Sequence, residues 1–537
     1  MLSPITSAAP FSVTGAPSWL TFHPIQPADT QIVFEFSPNA SINSRSATIK
    51  VGGRAVTVTQ AGLAGAPVLS VPPSIPNAAV SASYDLAVPT MNGPVTYTAT
   101  GLPAGMTLSN LTGHITGYPS TAKTYAVTIS ARNARGTSGA AIAFNINVLP
   151  FPDSLVGSYS ATVDADPAIN AGLGGFLTFA VSANGAVSGT LKSGSASPAF
   201  TGRLNTGVNP SNPVPLAAQL TVGIPKTSLI LNVLMNSRAS GSPAGYVTGS
   251  VSLGSSSAAL AGEQQVWSLS GHAPATGYLG SYTAALQPAG ADAAIPQGDG
   301  FLIMAVSTKG VISWSGQLAD GTVLAAGTTN LGPEGEVPLF AALNAGKGSL
   351  LGSPQITTGS PQALGGSLGW TKHASAAGVR AYQQGFGAFN PASLTVVGGA
   401  YTPPAKTVAV MPAGQITFAD GGIEQAAMYG SLTQEVAINS SNVATLPAVA
   451  AGNLANVRIT KITPATGAFT GSFTLKDNNP FNGALPQVSR TANFNGVFLQ
   501  GALNQGTGYF LLPTIAGPPA NVTTSPLTSG QVSLMPN

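Results

Sequence analysis

The chain contains no cysteine and few charged side chains. The lack of cysteine excludes disulfide scaffolds, cysteine-ligated zinc and thiol catalysis. Charged residues make up 7% of the 537 residues, against about 25% in typical soluble domains. The surface must therefore be covered mainly by Ser, Thr, Asn, Gln and backbone amides, which suits an extracellular protein that makes many weak neutral contacts.

Basic clusters and long apolar runs are also missing. The formal net charge of +3 is spread over the whole chain, so we predict no nucleic acid partner. No run of about 18 apolar residues is present, so we predict no transmembrane segment. The first residues lack the basic region and apolar core of a signal peptide. We therefore expect either a leader that was removed or a start inside a longer protein.

Apolar residues, glycine and proline are abundant instead. Apolar residues make up 44% of the chain, which is too many for a disordered protein. Short segments of alternating apolar and polar residues are separated by Gly, Pro, Asn and Asp turns, the pattern of antiparallel strands. The sequence therefore predicts an all-β protein.

Residues 97–131 carry the most specific motif. Tyr125, Val127, Ile129 and Ala131 alternate in one strand, and a short strand lies between Gly113 and Gly117. The motif residues are Leu102, Pro103, Gly105, Leu108, Thr112, Gly113, Ile115, Gly117, Pro119, Tyr125, Val127, Thr128, Ala131 and Asn133. This pattern resembles the Ig-like domain family of bacterial surface proteins, which is cadherin-like in fold. The resemblance implies a β-sandwich at 65–150 in a cell-surface setting and implies no particular chemistry.

Residues 11–62 form another all-β pattern. A Ser-Trp-Leu segment at 18–20 precedes a strand at 32–36 and a hairpin in which 45–51 pairs with 55–60 through Gly52 and Gly53. This pattern is similar to the BACON family, whose modules are associated with carbohydrate or mucin. Because strands expected before Trp19 are missing, we assign 1–64 to a BACON-like β-sandwich that is truncated at its N-terminus.

The remaining chain contains an internal repeat. Residues 157–161 recur at 280–284, and the pattern at 176–185 recurs at 301–310. Collinear matches at nearly one spacing indicate duplication. We predict β repeats at 151–275, 276–400 and, in degenerate form, 401–537. The overall prediction is tandem Ig-like β-sandwiches followed by a duplicated antiparallel β region, either sandwich or barrel.

Two further matches bear on how the copies align. Trp267 and Trp370 end similar strands but break the spacing. Residues 466–473 resemble the turn and strand after Gly185 and Gly310, and 506–510 resemble 346–350.

Histidines, which could serve as general bases in nucleophilic catalysis, are scarce. The histidines are His23, His114, His272 and His373. None lies in a recognisable motif, and His114 is interpreted as an exposed strand residue. We predict no catalytic residue and no enzyme activity.

Paired acids occupy corresponding loops of the first two repeats. These acids are Asp164, Asp166, Asp292 and Asp299. Glycoside hydrolysis needs two carboxylates about 5–10 Å apart, so a secreted hydrolase with its site in 151–537 is one alternative. Calcium is another, because it binds carboxylate oxygens; structural calcium is the single cofactor candidate. Asp also favours turns by itself, which is the simpler interpretation.

Aromatic residues are the candidate ligand contacts. Trp314 stands where the first repeat has Gly189, 125 positions earlier. A repeated core position rarely tolerates such a swap, so we predict that Trp314 faces outward and binds a ligand. Tyr382 and Phe386 form a second, weaker patch. Trp19 fits a core position.

We therefore predict a non-enzymatic, secreted or cell-surface bacterial protein for adhesion or surface structure. Glycans or mucin are the candidate partners, with weak carbohydrate binding. The strands have few charges to protect their edges, so self-association into a filament or surface layer is the other alternative.

Overall fold

Strands dominate the computed structural model. It describes residues 12–23, 31–62, 65–93, 95–138, 140–206, 217–237, 245–267, 274–290, 292–387, 390–423, 432–479, 481, 487–515 and 521–537. The chain divides into two compact units: residues 1–152 with 183–185 and 204–215, and the rest. The all-β prediction is confirmed.

The first unit begins with a small β module. Its strands are β1 (Val13–Thr14), β2 (Leu20–Phe22), β3 (Phe34–Phe36), β4 (Arg45–Val51) and β5 (Arg54–Gln60). They form the sheets β1-β4-β5 and β2-β3, and the predicted hairpin is β4 with β5. Trp19 packs against a core of Leu20, Ile49 and Val51.

The Ig-like domain follows with ten strands. They are β6 (Val68–Leu69), β7 (Ala78–Ala79), β8 (Tyr84–Ala87), β9 (Thr90–Met91), β10 (Thr96–Thr100), β11 (Met106–Leu108), β12 (His114–Gly117), β13 (Lys123–Asn133), β14 (Gly136–Thr137) and β15 (Ile142–Leu149). One sheet has the order β10-β13-β15-β7 with β14 on β13, another has the order β11-β12-β8, and β6 pairs with β9. Val127 and Ile129 are fully buried, as their alternation predicts.

Close backbone packing explains two glycines of the motif. A Cβ atom at Gly105 would lie 2.1 Å from the carbonyl oxygen of Tyr118, and one at Gly113 would lie 2.6 Å from Cζ of Tyr97. Both glycines also have positive φ angles. The motif therefore encodes the turns of a sandwich.

The second unit contains three antiparallel sheets. The first sheet has β16 (Gly157–Val163), β17 (Gly175–Val181), β18 (Ala186–Lys192), β19 (Ala199–Arg203), β21 (Ala217–Gly223), β22 (Ile230–Ser237), β23 (Gly245–Leu253) and β24 (Ser256–Gln264), whereas β20 (Asn205–Thr206) lies in a segment assigned to the first unit. The second has β25 (Gly280–Pro288), β26 (Gly300–Val306), β27 (Val311–Gln317), β28 (Val323–Asn330), β29 (Leu339–Leu343), β30 (Gly348–Gly352), β31 (Gln355–Thr357), β32 (Ala363–Lys372) and β33 (Ala392–Tyr401). The third has β34 (Ala413–Asp420), β35 (Leu432–Ile438), β36 (Ala444–Thr445), β37 (Arg458–Thr463), β38 (Ala468–Asn478), β39 (Gln487–Leu499), β40 (Gln505–Pro513) and β41 (Leu527–Pro536).

Helices are few and short in the described residues. They are the α-helix α1 (Pro167–Asn170) and the 3-10 turns Asp153–Leu155, Thr276–Tyr278, Asn344–Gly346 and Val449–Ala451. Among the described residues, no helix has the length and apolarity needed to span a membrane.

Each of the three sheets is a meander that is nearly closed. The first runs β19-β18-β17-β16-β24-β23-β22-β21, the second β28-β27-β26-β25-β33-β32-β30-β29 with β31 on β32, and the third β36-β35-β34-β41-β40-β39-β38-β37. The end strands contact each other: β19 with β21, β28 with β29, and β36 with β37. We call these sheets barrel 1, barrel 2 and barrel 3; the predicted boundaries between repeats stay predictions.

The topology corrects three expected equivalences. Trp370 lies in β32, whereas Trp267 follows β24, whose counterpart in barrel 2 is β33. Residues 466–473 lead into the fifth strand of barrel 3, whereas Gly185 and Gly310 precede the third strands. Residues 506–510 lie in the seventh strand, whereas 346–350 lead into the sixth. Glycine turns before strands are too common in a meander to identify equivalent positions.

Barrels 2 and 3 pack on each other through an apolar patch. Ala285 and Phe301 of barrel 2 contact Val497, Leu499 and Tyr509 of barrel 3. The last residue is also hydrogen-bonded across this contact, through its hydroxyl to Gln317 Oε1 at 3.0 Å. These residues point away from their own barrels, since inward positions of the same strands fill separate cores.

Candidate functional site: grooves around barrel 2

Trp314 lies in the core of barrel 2. It is 8% exposed and packs among the inward-facing residues. Its cross-strand partner is Gly327, where a Cβ atom would lie 2.3 Å from Cζ2 of the indole. In barrel 1 the corresponding pair is Gly189 and Phe200, so the large ring sits on the other strand.

The prediction that Trp314 faces outward is therefore wrong. A core position tolerates a change from glycine to tryptophan when the neighbouring strand changes from phenylalanine to glycine, because the site still holds one aromatic ring. The sequence comparison considered one strand alone and missed this compensation. Ligand contact by Trp314 stays a prediction, since the residue also lines a groove on the barrel surface.

This groove has a volume of about 510 Å³ and lies over the outer face of β25 to β28. Cross-strand pairing aligns Ser281, Ala305, Ser313 and Thr328 in one row and Thr283, Ile303 and Ser315 in the next. The turn between β37 and β38 of barrel 3 forms a wall with Ala465 and Thr466. We call it the hydroxyl groove.

Four hydroxyls of the groove are unengaged. Within the described part of the chain, those of Ser281, Ser313, Ser315 and Thr328 make no hydrogen bond, whereas Thr283 Oγ1 donates to the carbonyl of Phe498 at 2.8 Å. Among the described lining residues there is no Asp, Glu, Lys, Arg or His. The groove therefore offers neutral donors and acceptors, and the hydroxyls of its two tyrosines, Tyr282 and Tyr401, donate to the backbone carbonyls of Tyr278 and Pro464.

The same hydroxyl row occurs in barrel 1. Ser158, Ala180, Ser188 and Thr201 pair across β16 to β19 as Ser281, Ala305, Ser313 and Thr328 do in barrel 2. Sequence reasoning missed this row. The signal was present, because serine and threonine recur at outward positions of both repeats at offsets of 123 to 127 residues.

Tyr382 and Phe386 lie together at one end of barrel 2. Phe386 is 9% exposed and meets Trp370 edge-to-face, with ring centroids 4.6 Å apart. Tyr382 is partly buried, and its hydroxyl accepts the backbone N–H of Ser529 in barrel 3 at 3.0 Å. Both side chains thus have structural contacts, and their predicted ligand role stays a prediction.

A cavity of about 580 Å³ lies beside this cluster. Phe386, Gln384 and His373 line it, together with Pro167 and Ala171 of barrel 1. Phe386, one of the aromatic residues predicted to contact a ligand, therefore lines a cavity.

The four candidate acids have separate structural roles. Asp166 caps α1 by accepting the backbone N–H groups of Ala168 and Ile169, and Asp292 accepts the N–H of Ala294 at 2.9 Å in an exposed turn. Asp164 is exposed. Asp299 alone is buried, at 2% exposure. The interpretation that these acids are present because Asp favours turns fits Asp166 and Asp292, but it does not explain the buried Asp299.

Asp299 lies at the contact between barrels 2 and 3. Its Oδ2 accepts hydrogen bonds from Thr507 and, at 3.2 Å, from Gln531, both in barrel 3, and at 3.3 Å from Gln287 of barrel 2. Burial raises the pKa of this carboxyl above its ordinary 3.8, and the three hydrogen bonds oppose the shift.

A buried ion pair lies nearby. Lys372 Nζ donates to Asp320 Oδ2 at 2.6 Å and to the carbonyl of Ala381 at 2.9 Å. Both charged side chains are almost fully buried. The pair is therefore structural, and the Lys372 ammonium already donates its hydrogen bonds within the protein. Sequence reasoning missed it, since the two residues are 52 positions apart.

Two of the histidines each pair with one acidic side chain. His23 meets Glu35 at 3.2 Å and His114 meets Asp85 at 2.7 Å, both exposed; His272 lies outside the described residues. In the described ranges, no three His, Asp or Glu side chains come close enough to hold a metal ion.

Residues 66–149 match the family model described as "Putative Ig domain". The predicted Ig-like domain is thereby confirmed; the resemblance of 1–64 to BACON modules stays a prediction. No curated protein matches the chain.

Solved structures give partial or distant likenesses. Over 16% of its length the chain is similar to 18% of a putative alpha-galactosidase/melibiase of Bacteroides fragilis, at 30% identity and a TM-score of 0.15. Over 87% it is similar to 97% of transferrin binding protein B of Haemophilus parasuis, at 11% identity and a TM-score of 0.17. Over 99% it is similar to 90% of domains 4–9 of surface layer protein SbsC, at 11% identity and a TM-score of 0.14. Scores this low carry no argument, and the chain spans less than a fifth of the galactosidase-like protein.

Proposed function

We propose that this is a non-enzymatic, extracellular bacterial surface protein that binds uncharged glycans in the hydroxyl groove of barrel 2. The observation that carries the proposal is the pair of aligned rows of serine and threonine, in which, among the residues that the structure describes, four hydroxyls make no hydrogen bond and no lining residue is charged. Glycan hydroxyls need many neutral partners, and a groove of about 510 Å³ lies within the range of about 300–1,000 Å³ for ligand sites.

The Ig-like domain and the low charge support the extracellular setting. An Ig-like module occurs with many functions, so it supports a location more than a ligand. A signal peptide in the coding sequence upstream would test this part, and its absence from the complete gene would count against it.

The rival hypotheses have less support. The end strands of each barrel lie close to each other, which leaves these sheets less open at their ends than the self-assembly hypothesis assumed; light scattering over a range of concentrations tests self-assembly. The hydrolase hypothesis used paired acids, of which Asp166 is a helix cap and Asp299 is buried between barrels.

The test of glycan binding removes hydroxyls in the groove and at the matched positions of barrel 1. A glycan array would identify a neutral ligand of the intact chain, and calorimetry would then compare the double variants Ser313→Ala/Thr328→Val and Ser188→Ala/Thr201→Val. Each neutral hydrogen bond contributes about 0.5–1.5 kcal/mol, so we expect about tenfold weaker binding in the first variant. The barrel 1 variant should bind as the unchanged protein does.

Two outcomes contradict the proposal. One is an array without any neutral glycan bound. The other is an equal loss in both double variants, which would assign binding to the hydroxyl rows in general and not to this groove.

A further inference from the structure

The hydroxyl groove runs across the strands of barrel 2. Its floor takes three residues from each of the four strands β25 to β28. Neighbouring strands lie about 4.8 Å apart, and a strand rises about 3.4 Å per residue. The groove is therefore about 14 Å long across the strands and about 7 Å wide along them. A chain-like ligand fits with its axis across the strands.

Barrel 3 closes one end of this groove. The row of residues from Thr328 to Ser281 continues on β33 with Tyr401, the cross-strand partner of Ser281. The Tyr401 ring packs in the core of barrel 3, and its hydroxyl donates to the carbonyl oxygen of Pro464 at 2.6 Å. This hydrogen bond holds the turn between β37 and β38, which is the wall of the groove, against barrel 2.

The second row of the groove ends at the same barrel. Its first residue, Thr283, is 1% exposed, and the hydroxyl donates to the carbonyl oxygen of Phe498 in β39 at 2.8 Å. A Cβ atom at Gly467 would lie 2.9 Å from Cε2 of Tyr401, so the turn and the ring leave no gap between them. Both rows therefore stop at β25.

The other end of the groove is open. β28 is the last strand of the sheet on this side, and its outward residues Ala326 and Thr328 are exposed. None of the described lining residues comes from the segment between β28 and β33. Burial falls in the same direction, since Ser281 is partly buried whereas Ser313 is exposed. The groove is therefore blind, with one closed end and one open end.

A blind groove distinguishes the end of a chain from its middle. A terminal sugar can lie against the wall, with the rest of the chain leaving over β28. A sugar inside a chain has a neighbour on each side, and one of these neighbours would overlap barrel 3. A cyclic glycan has no end to place against the wall. Moving the wall aside would break the buried hydrogen bonds that Tyr401 and Thr283 donate, which is unfavourable.

We propose that the hydroxyl groove binds the end of an uncharged oligosaccharide, with the terminal unit against the turn of barrel 3 and about three units in contact along its length. This inference rests on the proposed glycan function and adds which part of the glycan is recognised.

The experiment varies the length and the ends of the ligand. The probes are malto-, cello- and mannooligosaccharides of two to six units, and α-cyclodextrin, which closes the six units of maltohexaose into a ring. Ligand-observed NMR titration measures their binding to the full chain. In a series that binds, we expect the affinity to rise up to about three units and then to level off. We expect α-cyclodextrin to bind about tenfold more weakly than maltohexaose, or not at all.

Variants at the two ends of the groove locate the ligand. Ser281→Ala, at the closed end, should weaken binding of two-unit and five-unit ligands by a similar factor of about two to ten, the range for one neutral hydrogen bond. Thr328→Val, at the open end, should weaken the five-unit ligand more than the two-unit ligand. Ser158→Ala, at the matched position of barrel 1, is the control and should bind every probe as the unchanged protein does. Thermal unfolding checks that the three variants keep the fold.

Several results overturn the inference and leave the glycan function standing. They are an affinity that keeps rising to six units, α-cyclodextrin that binds as tightly as maltohexaose, and Thr328→Val that affects both lengths equally. Absence of binding by every probe would also overturn it. An array without any neutral glycan bound would separately contradict the glycan function itself.

Discussion

Trp314 and Gly327 face each other across β27 and β28, and the indole occupies the space that a side chain at Gly327 would need. In barrel 1 the aromatic ring comes from the opposite strand, as Phe200 facing Gly189. A Cβ atom at Gly189 would lie 2.8 Å from Cζ of that ring. Each barrel thus fills one core site with one ring, and the two repeats differ in which strand supplies it.

Transferring the ring between strands should restore stability to barrel 2. Trp314→Gly leaves a large cavity, and we expect it to destabilise barrel 2 by about 3–5 kcal/mol. Gly327→Phe alone should also destabilise, because the ring overlaps the indole. The double variant should be more stable than the sum of the two single effects predicts, with a coupling of about 0.5–3 kcal/mol. The urea dependence of hydrogen exchange in β27 and β28 gives the stability of each variant and hence the coupling. Strict additivity of the two single effects would show that the two residues do not share one site.

The buried ion pair of barrel 2 should be sensitive to loss of one partner. Lys372→Met leaves the Asp320 carboxylate buried without its cation, and we expect destabilisation by about 3–5 kcal/mol. Lys372→Met with Asp320→Asn removes both charges and should recover much of that loss, since Asn can still accept the Thr322 N–H. Chemical denaturation of the variants provides the comparison. A double variant no more stable than Lys372→Met would contradict an electrostatic origin.

Stability at the contact between barrels 2 and 3 should depend on pH through Asp299. Because burial raises the folded-state pKa above the ordinary 3.8, the protonated form is favoured in the folded protein. Its stabilising contribution is fully present below about pH 3.8 and is lost as the pH rises through the raised pKa. Hydrogen exchange of β40 and β41 should therefore accelerate, beyond its intrinsic pH dependence, as the pH increases over this window.

Asp299→Asn keeps an acceptor oxygen and cannot ionise, so that pH dependence should largely disappear. The matched control is Asp292→Asn, which changes an exposed acid whose oxygen accepts a backbone N–H as asparagine also can. If both variants keep the pH dependence of the unchanged protein, another group is responsible.

Tyr382 should stabilise the same contact through its hydroxyl. Tyr382→Phe removes the acceptor of the Ser529 N–H and leaves a buried donor without a partner, at a cost of about 1–3 kcal/mol. Faster hydrogen exchange at Ser529 is the expected result. Tyr246→Phe changes a tyrosine that is 36% exposed and serves as control. Unchanged exchange at Ser529 in Tyr382→Phe would instead leave the hydroxyl available for a ligand.

Sequence periodicity predicted much of the fold for a local reason. Strand alternation, as in Val127 and Ile129, and turn glycines, as in Gly105, depend on neighbours that are close in sequence or on steric limits of one residue. The repeat spacing likewise predicted the first strands of barrels 1 and 2. The candidate site was predicted less well, because whether a ring such as Trp314 faces inward depends on what the adjacent strand contributes.

The sequence by itself determined that this protein is built of strands, contains an Ig-like domain and repeats a β module, because backbone preferences and side-chain alternation are local. Only the tertiary structure decided which side chains share a space. Trp314 is buried because Gly327 makes room for it, and Asp299 is buried because a second barrel, more than 200 residues further along the chain, covers it. Burial is a property of the whole packing arrangement, so residues distant in sequence decide it.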